Sequence, residues 1–168
     1  MFVLARIGYF LTLILYLQIF GFAKLQTSDS FDVVVYNVEN LFDTDDVSLY
    51  DDYRKGMYGT KELENKLNSI CEVLKKIGGK KGPDIILFQE IEVDRTPDNQ
   101  PSATSELLRK LKFHGLGPYY HKLGYNLNGS TASWPAVHCL TLSKFPISNS
   151  RLHAIERARP ILETTIEI

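Results

Sequence analysis

Val33-Val34-Val35-Tyr36-Asn37-Val38-Glu39-Asn40-Leu41-Phe42-Asp43 is an apolar run that ends in acids and amides. Pro83-Asp84-Ile85-Ile86-Leu87-Phe88-Gln89-Glu90-Ile91-Glu92 has the same form. Each reads as a buried strand that delivers polar side chains at its C-terminal end. Three consecutive valines predict burial on both faces, as in a central strand rather than an edge.

Between the two runs the period changes. Leu63, Leu67, Ile70, Leu74 and Ile77 recur at spacings of four and three, which is one apolar helix face. The helix is expected to start near Thr60. Glu62 and Glu64 fall in its first turn and Lys75 and Lys76 in its last, matching the helix dipole, and Gly78-Gly79 ends it. Strand, helix, strand in this order predicts two neighbouring parallel strands joined by a crossover.

Residues 43–58 read as a polar, acidic loop and 94–101 as a second loop. A helix is expected over 104–112, with Leu107, Leu108 and Leu111 inward. Short strands follow over 119–123, 136–143, 148–155 and 161–168, with turns at 126–130 and 144–146. Pro135 and His138 are unusual residues for the 136–143 strand.

Bulk properties narrow the function classes. Met1 to Phe22 carries one charge, Arg6, and an apolar stretch from Ile7 ends in Gly21-Phe22-Ala23, the layout of a signal peptide over residues 1–23. The expectation is export, secreted or periplasmic. The alternative is an uncleaved membrane anchor, since the run is near the lower length for spanning; without one, no stable membrane partner is expected. Cleavage after Ala23 would take the 19 basic side chains to 18 against 20 acidic ones, a balance of −2. That balance offers no global attraction to long nucleic acid, which clearly basic surfaces favour. Cys71 and Cys139 stand in apolar contexts and read as buried free thiols, although an oxidising compartment would permit a bridge.

The chemistry concentrates at the two strand ends. Alternation puts Asn37 and Glu39 on one side of the first strand. Glu90 shares a side with Ile86 and Phe88 on the second. Parallel neighbours bring both polar ends to one sheet edge, the usual place for a site in such folds. A carboxylate pair there would hold a hard divalent cation through oxygen ligands, with water and phosphate completing the shell. Asn37 would donate to a phosphate oxygen or orient a carboxylate. The bland alternative is a set of ordinary strand-end polar residues.

The segments Tyr36-Asn37-Val38-Glu39-Asn40-Leu41-Phe42-Asp43 and Pro83-Asp84-Ile85-Ile86-Leu87-Phe88-Gln89-Glu90 resemble the first two motifs of the endonuclease/exonuclease/phosphatase superfamily. Leu142-Ser143-Lys144-Phe145-Pro146-Ile147 and Arg159-Pro160-Ile161-Leu162-Glu163 fit the same order less specifically. The resemblance implies a four-layer α/β sandwich of two mixed sheets flanked by helices, and Mg²⁺- or Mn²⁺-dependent hydrolysis of a phosphate ester. On matching positions, Glu90 and Glu39 would be metal ligands, Asn37 would complete the catalytic set, and Gln89 would support it. The substrate implied is nucleic acid or another phosphodiester. The alternatives are a phosphomonoesterase acting on a lipid or sugar phosphate, and a non-catalytic interaction module.

The family's later motifs supply a strand His, an Asp-x-Asn pair and an Asp-His pair. None can be placed before Ile168. The expectation is therefore that residues 24–168 form the N-terminal portion of such a domain, inactive without a C-terminal half. Other signals are weaker. Asp43, Asp45, Asp46, Asp51 and Asp52 do not match a calcium loop, because Ser48 and Arg54 occupy its Gly and Glu positions. His114, His121, His138 and His153 lack zinc spacing. Arg157 and Arg159 have the chemistry to grip phosphate, but surface arginines beside a strand are commoner. Asn128-Gly129-Ser130 fits a glycosylation sequon and a tight turn equally well.

Overall fold

The computed structural model describes residues 30–96, 101–125 and 135–168. The expected signal segment and the turn at 126–130 lie outside the described residues. Strand β1 (Val33–Leu41) runs parallel to β2 (Ile85–Glu92), in register from Val33 opposite Ile85 to Asn37 opposite Gln89. The crossover between them is helix α1 (Thr60–Gly78). The second helix, α2, is Ala103–Phe113. Strands β3 (Tyr120–Leu123) and β4 (Val137–Ser143) then complete a mixed sheet in the order β1-β2-β4-β3, with β4 antiparallel to both neighbours. Strands β5 (Ile147–His153) and β6 (Ile161–Ile166) form a separate antiparallel ribbon.

The sequence dictates how these elements stack. Side chains alternate along a strand, so Ile86 and Phe88 of β2 share one face with Val38, Leu140 and Leu142. Leu63, Leu67, Ile70 and Leu74 of α1 and Leu107 and Leu111 of α2 bury against that face. The opposite face presents Val35, Leu87, Cys139 and Thr141, with Ile161 and Leu162 of the ribbon across a cleft of about 380 Å³. The described residues thus stack helices, mixed sheet and ribbon, an α/β arrangement consistent with the expected sandwich. The ribbon is purely antiparallel rather than mixed.

Local chemistry fixes the element ends. The Glu62 carboxylate accepts from the Gly59 N–H at 3.2 Å at the start of α1. Ser102 Oγ caps α2 by accepting from the Ser105 N–H at 3.2 Å. Gly78 is required where α1 meets the turn into β2, because a Cβ there would lie 2.0 Å from the Pro83 nitrogen. At the start of β2, Asp84 accepts from the Asp32 N–H at 3.0 Å and from Lys144 Nζ at 3.0 Å. The Asp32 N–H first, and then Lys144, hold its carboxyl below the ordinary value.

Three expectations need correction. Among the described residues the first strand lies at an edge of its sheet rather than at its centre. Val33 and Val35 are 51% and 65% exposed, because valine favours extended backbone whether or not both faces are covered. Ile77, expected on the buried helix face, is 50% exposed, since α1 outruns the sheet beneath it. Strand β4 forms despite the unusual residues at its start, and His138 is buried within it, edge-on to Tyr125 at 4.6 Å. Burial lowers the pKa of His138 to about 4, so the neutral ring is the form the core holds. Cys71 and Cys139 are free thiols, buried and half-buried.

The contrast along α1 is testable. Leu67 is fully buried and Ile77 half-exposed. Leu67→Ala is expected to destabilise by about 2–5 kcal/mol, and Ile77→Ala by less than about 1 kcal/mol. Chemical denaturation of both variants checks this; equal losses would contradict the packing described.

Candidate active site

The ladder between β1 and β2 is regular as far as Asn37 and Gln89 and then breaks. The next paired residues are Leu41 and Ile91, so β1 spends three residues where β2 spends one. Against β4, strand β2 carries its own bulge between Phe88 and Ile91. Three non-glycine residues at this level are left-handed: Glu39 (φ +53°), Asn40 (φ +63°) and Glu90 (φ +66°). Such residues cost about 1–3 kcal/mol each and persist only where the surroundings dictate them. Paired bulges re-aim side chains that strict alternation would point elsewhere. Here they fall at Glu39, Asn40 and Glu90, at the C-terminal ends of two parallel strands.

Three of the expected residues, Asn37, Glu39 and Gln89, are neighbours by register or hydrogen bond. Asn37 and Gln89 stand opposite each other in register. Asn37 Oδ1 accepts the Glu39 N–H at 2.9 Å, which fixes the amide orientation and leaves its NH₂ as a donor. The Glu39 carbonyl accepts from Lys66 Nζ of α1 at 2.9 Å. Glu90 Oε1 lies 3.4 and 3.5 Å from the two terminal nitrogens of Arg159, which arrives from the β5–β6 connection. The Tyr53 hydroxyl completes the region. Its pKa is raised by burial first, then by nearby carboxylates, Asp52 before Glu90 and Glu39.

The sequence reading did not assign Tyr53, Asn40 or Lys66 to the site. A signal for Tyr53 was available. The stretch taken as a solvated loop holds Tyr50, Tyr53 and Tyr58, and aromatics at that density pack rather than float. Phe42 stacks on Tyr53 with centroids 4.2 Å apart, and Tyr53 meets Tyr58 at 4.9 Å. That aromatic cluster folds the loop back over the strand ends.

The loop reading also needs correction at Asp43, which is buried rather than solvated. Its N–H donates to Glu92 Oε2 at 2.9 Å, and its Oδ1 accepts the Asp45 N–H at 3.1 Å. Asp45 in turn accepts from the Thr96 hydroxyl. Burial pushes Glu92 up to about 9, with the charges of Asp43, Asp45 and Asp94 adding to it and the Asp43 N–H opposing it. Burial raises Asp43 as well. Two acids therefore sit on the end of β2 in different settings. Glu92 is buried and favours its protonated form, whereas Glu90 is a half-buried carboxylate paired with a guanidinium.

Glu39 and Glu90 are the residues that would hold a divalent cation here. Among the described residues no three His, Cys, Asp or Glu side chains cluster as metal ligands. A closed protein cage of that kind suits other ions. Glu39 and Glu90, beside the amides of Asn37 and Gln89, offer the one or two carboxylates that magnesium takes, with water and phosphate oxygens filling the octahedron. Among the described residues no helix is long and apolar enough to cross a membrane.

Residues 32–105 match the family model described as "Endonuclease/Exonuclease/phosphatase family". The match spans both strand motifs and the crossover helix between them, and covers under half of the chain. No curated protein is significantly similar in sequence. Among solved structures, a β-hairpin deletion mutant of beta toxin from Staphylococcus aureus is similar at 20% identity with a TM-score of 0.37. The similarity covers 72% of this chain and 38% of the toxin chain, so this chain spans well under half of that protein's length.

The buried acid gives a pH test. A carboxyl whose folded pKa lies above its unfolded value stabilises most at low pH, and that contribution disappears as pH rises through the folded value. Glu92 moves from an ordinary 4.5 to about 9, so stability should decline between about pH 5 and pH 9. Glu92→Gln keeps the acceptor for the Asp43 N–H and removes the titration. Its melting temperature should exceed the wild-type value by a margin that grows towards pH 9. Parallel melting curves for the two proteins across that range would refute the assignment.

Proposed function

We propose that this chain is a divalent-cation-dependent phosphodiester hydrolase, exported from the cell and acting on nucleic acid or a related diester. One observation supports this above the rest: paired breaks in β1 and β2 fall at Glu39 and Glu90, at the C-terminal ends of neighbouring parallel strands. The cation would be Mg²⁺ or Mn²⁺, held by Glu90 and Glu39, and when bound it would neutralise charge on the phosphate and lower the pKa of a bound water. Asn37, with its oxygen held by Glu39, presents its NH₂ to a phosphate oxygen. Gln89 lies beside it in register and supports the same edge. Tyr53 and the aromatic cluster shield one side of the region from water, which strengthens each polar contact made there. Export rests on the apolar N-terminal segment with its small-residue exit.

The charge balance favours a second reading. With a net charge of −1, the chain has no long-range attraction for a polynucleotide, whereas a small lipid or sugar phosphate monoester needs none.

The test is Mg²⁺-dependent hydrolysis of plasmid DNA, bis(p-nitrophenyl) phosphate and p-nitrophenyl phosphate by wild type and Glu90→Gln. Cleavage of the diesters, reduced at least roughly 100-fold in the variant, is expected. Cleavage of the monoester alone would favour the second reading. Diester hydrolysis at the wild-type rate in Glu90→Gln would remove Glu90 from the site.

A further inference from the structure

The ion pair at Glu90 has a geometry unlike a structural bridge. Both terminal nitrogens of Arg159 reach the same oxygen, Oε1, at 3.4 and 3.5 Å, rather than forming a two-oxygen fork at hydrogen-bonding distance. The hydrogen bonds from Arg159 go to this one oxygen. The pair is half-exposed, at 20% for Glu90 and 40% for Arg159, so water screens it. Glu90 has a left-handed backbone conformation at a bulge, so its backbone position is set by the strand and not by the guanidinium.

The guanidinium also has somewhere to go. Arg159 lines the cleft of about 380 Å³ between the mixed sheet and the β5–β6 ribbon, alongside Leu87, Cys139 and Ile161. Its aliphatic stem can rest on those apolar side chains while the charged end leaves Glu90. The neighbouring cationic group, Lys66, is engaged with the Glu39 carbonyl instead.

We propose that Arg159 is the resident counter-ion of Glu90 and competes with the divalent cation for that carboxylate, setting the cation concentration at which the site loads. This rests on the reading of Glu90 as a cation ligand. A magnesium-type ion approaches a carboxylate oxygen to about 2.0–2.1 Å, inside the distance the guanidinium holds, so the two cannot share Oε1 on equal terms. An ion that takes Oε1 displaces Arg159, and one that takes the other oxygen still meets the like charge of the guanidinium, so the ion pair raises the threshold for loading.

The test is Mn²⁺ binding to the full chain, followed by loss of the free-ion paramagnetic resonance signal, which reads occupancy without turnover. Arg159→Gln and Arg159→Met are both made, the second keeping an apolar stem over the cleft. Arg157→Gln is the control, since Arg157 is almost fully exposed and pairs with Glu156. The expected result is a roughly three- to tenfold lower Kd in both Arg159 variants, with the control unchanged. An unchanged or raised Kd in an Arg159 variant with wild-type circular dichroism would overturn the proposal. So would equal tightening in Arg157→Gln, which would reveal a general charge effect. Glu90→Gln separates the two levels: if it binds Mn²⁺ as wild type does, the cation does not sit on Glu90 and the functional reading itself fails.

Discussion

The parallel pairing of β1 with β2 is the constraint on which the rest depends. Five consecutive register positions, from Val33 opposite Ile85 to Asn37 opposite Gln89, bring two sequence-distant runs to the same depth and end them at the same edge. The pairing needs a crossover, and α1 supplies it by burying Leu63, Leu67, Ile70 and Leu74 on the face that β2 presents through Ile86 and Phe88. Hydrophobic burial holds the strands in register, and register in turn decides which polar residues meet. A slip of one residue would send Asn37 and Gln89 to the opposite face. The apolar half of each motif is thus as necessary to the site as the polar half.

Burial and pairing sort the acids that this edge collects. Carboxylates this close repel, and each must find water, a cation or a proton. Glu92 and Asp43 are buried, and favour protonation linked through the Asp43 N–H. Glu90, two residues earlier on the same strand, is left half-exposed by the bulge and takes a guanidinium. Glu39 stays at the surface with its carbonyl tied to Lys66. A single strand end therefore presents one acid that serves packing and one available to a ligand. The residue types alone do not distinguish them, because both are glutamate.

That limit describes what was legible in the sequence. The two strands, the crossover helix and the four later strands follow from periodicity and turn residues, and their order follows from the strand–helix–strand rule. The residues Asn37, Glu39, Gln89 and Glu90 were readable because each closes an apolar run. The edge position of β1 was not readable, since Val33-Val34-Val35 carries the same preference in a central or an outer strand. The left-handed turns at Glu39, Asn40 and Glu90 were hidden as well, because no glycine marks them. Tyr53 belongs to the site through the stacking of Phe42, a contact that depends on how the loop folds back and not on spacing along the chain.

The position of Arg159 shows how the ribbon and the mixed sheet communicate. The ribbon's apolar side chains, Ile161 and Leu162, face a cleft rather than a filled core, so packing alone fixes it loosely. Thr141 and Thr164 hydroxyls lie 3.5 Å apart across the same gap, the outer limit of a hydrogen bond. The Glu90–Arg159 pair therefore supplies a directional link between the two layers at the level of the site. A charge placed on Glu90 from solution acts on that link first. Arg159 lines the cleft, so the arginine is the side chain with room to give way. Occupancy of the strand-end site and the seating of the ribbon are in this way two readings of one electrostatic balance.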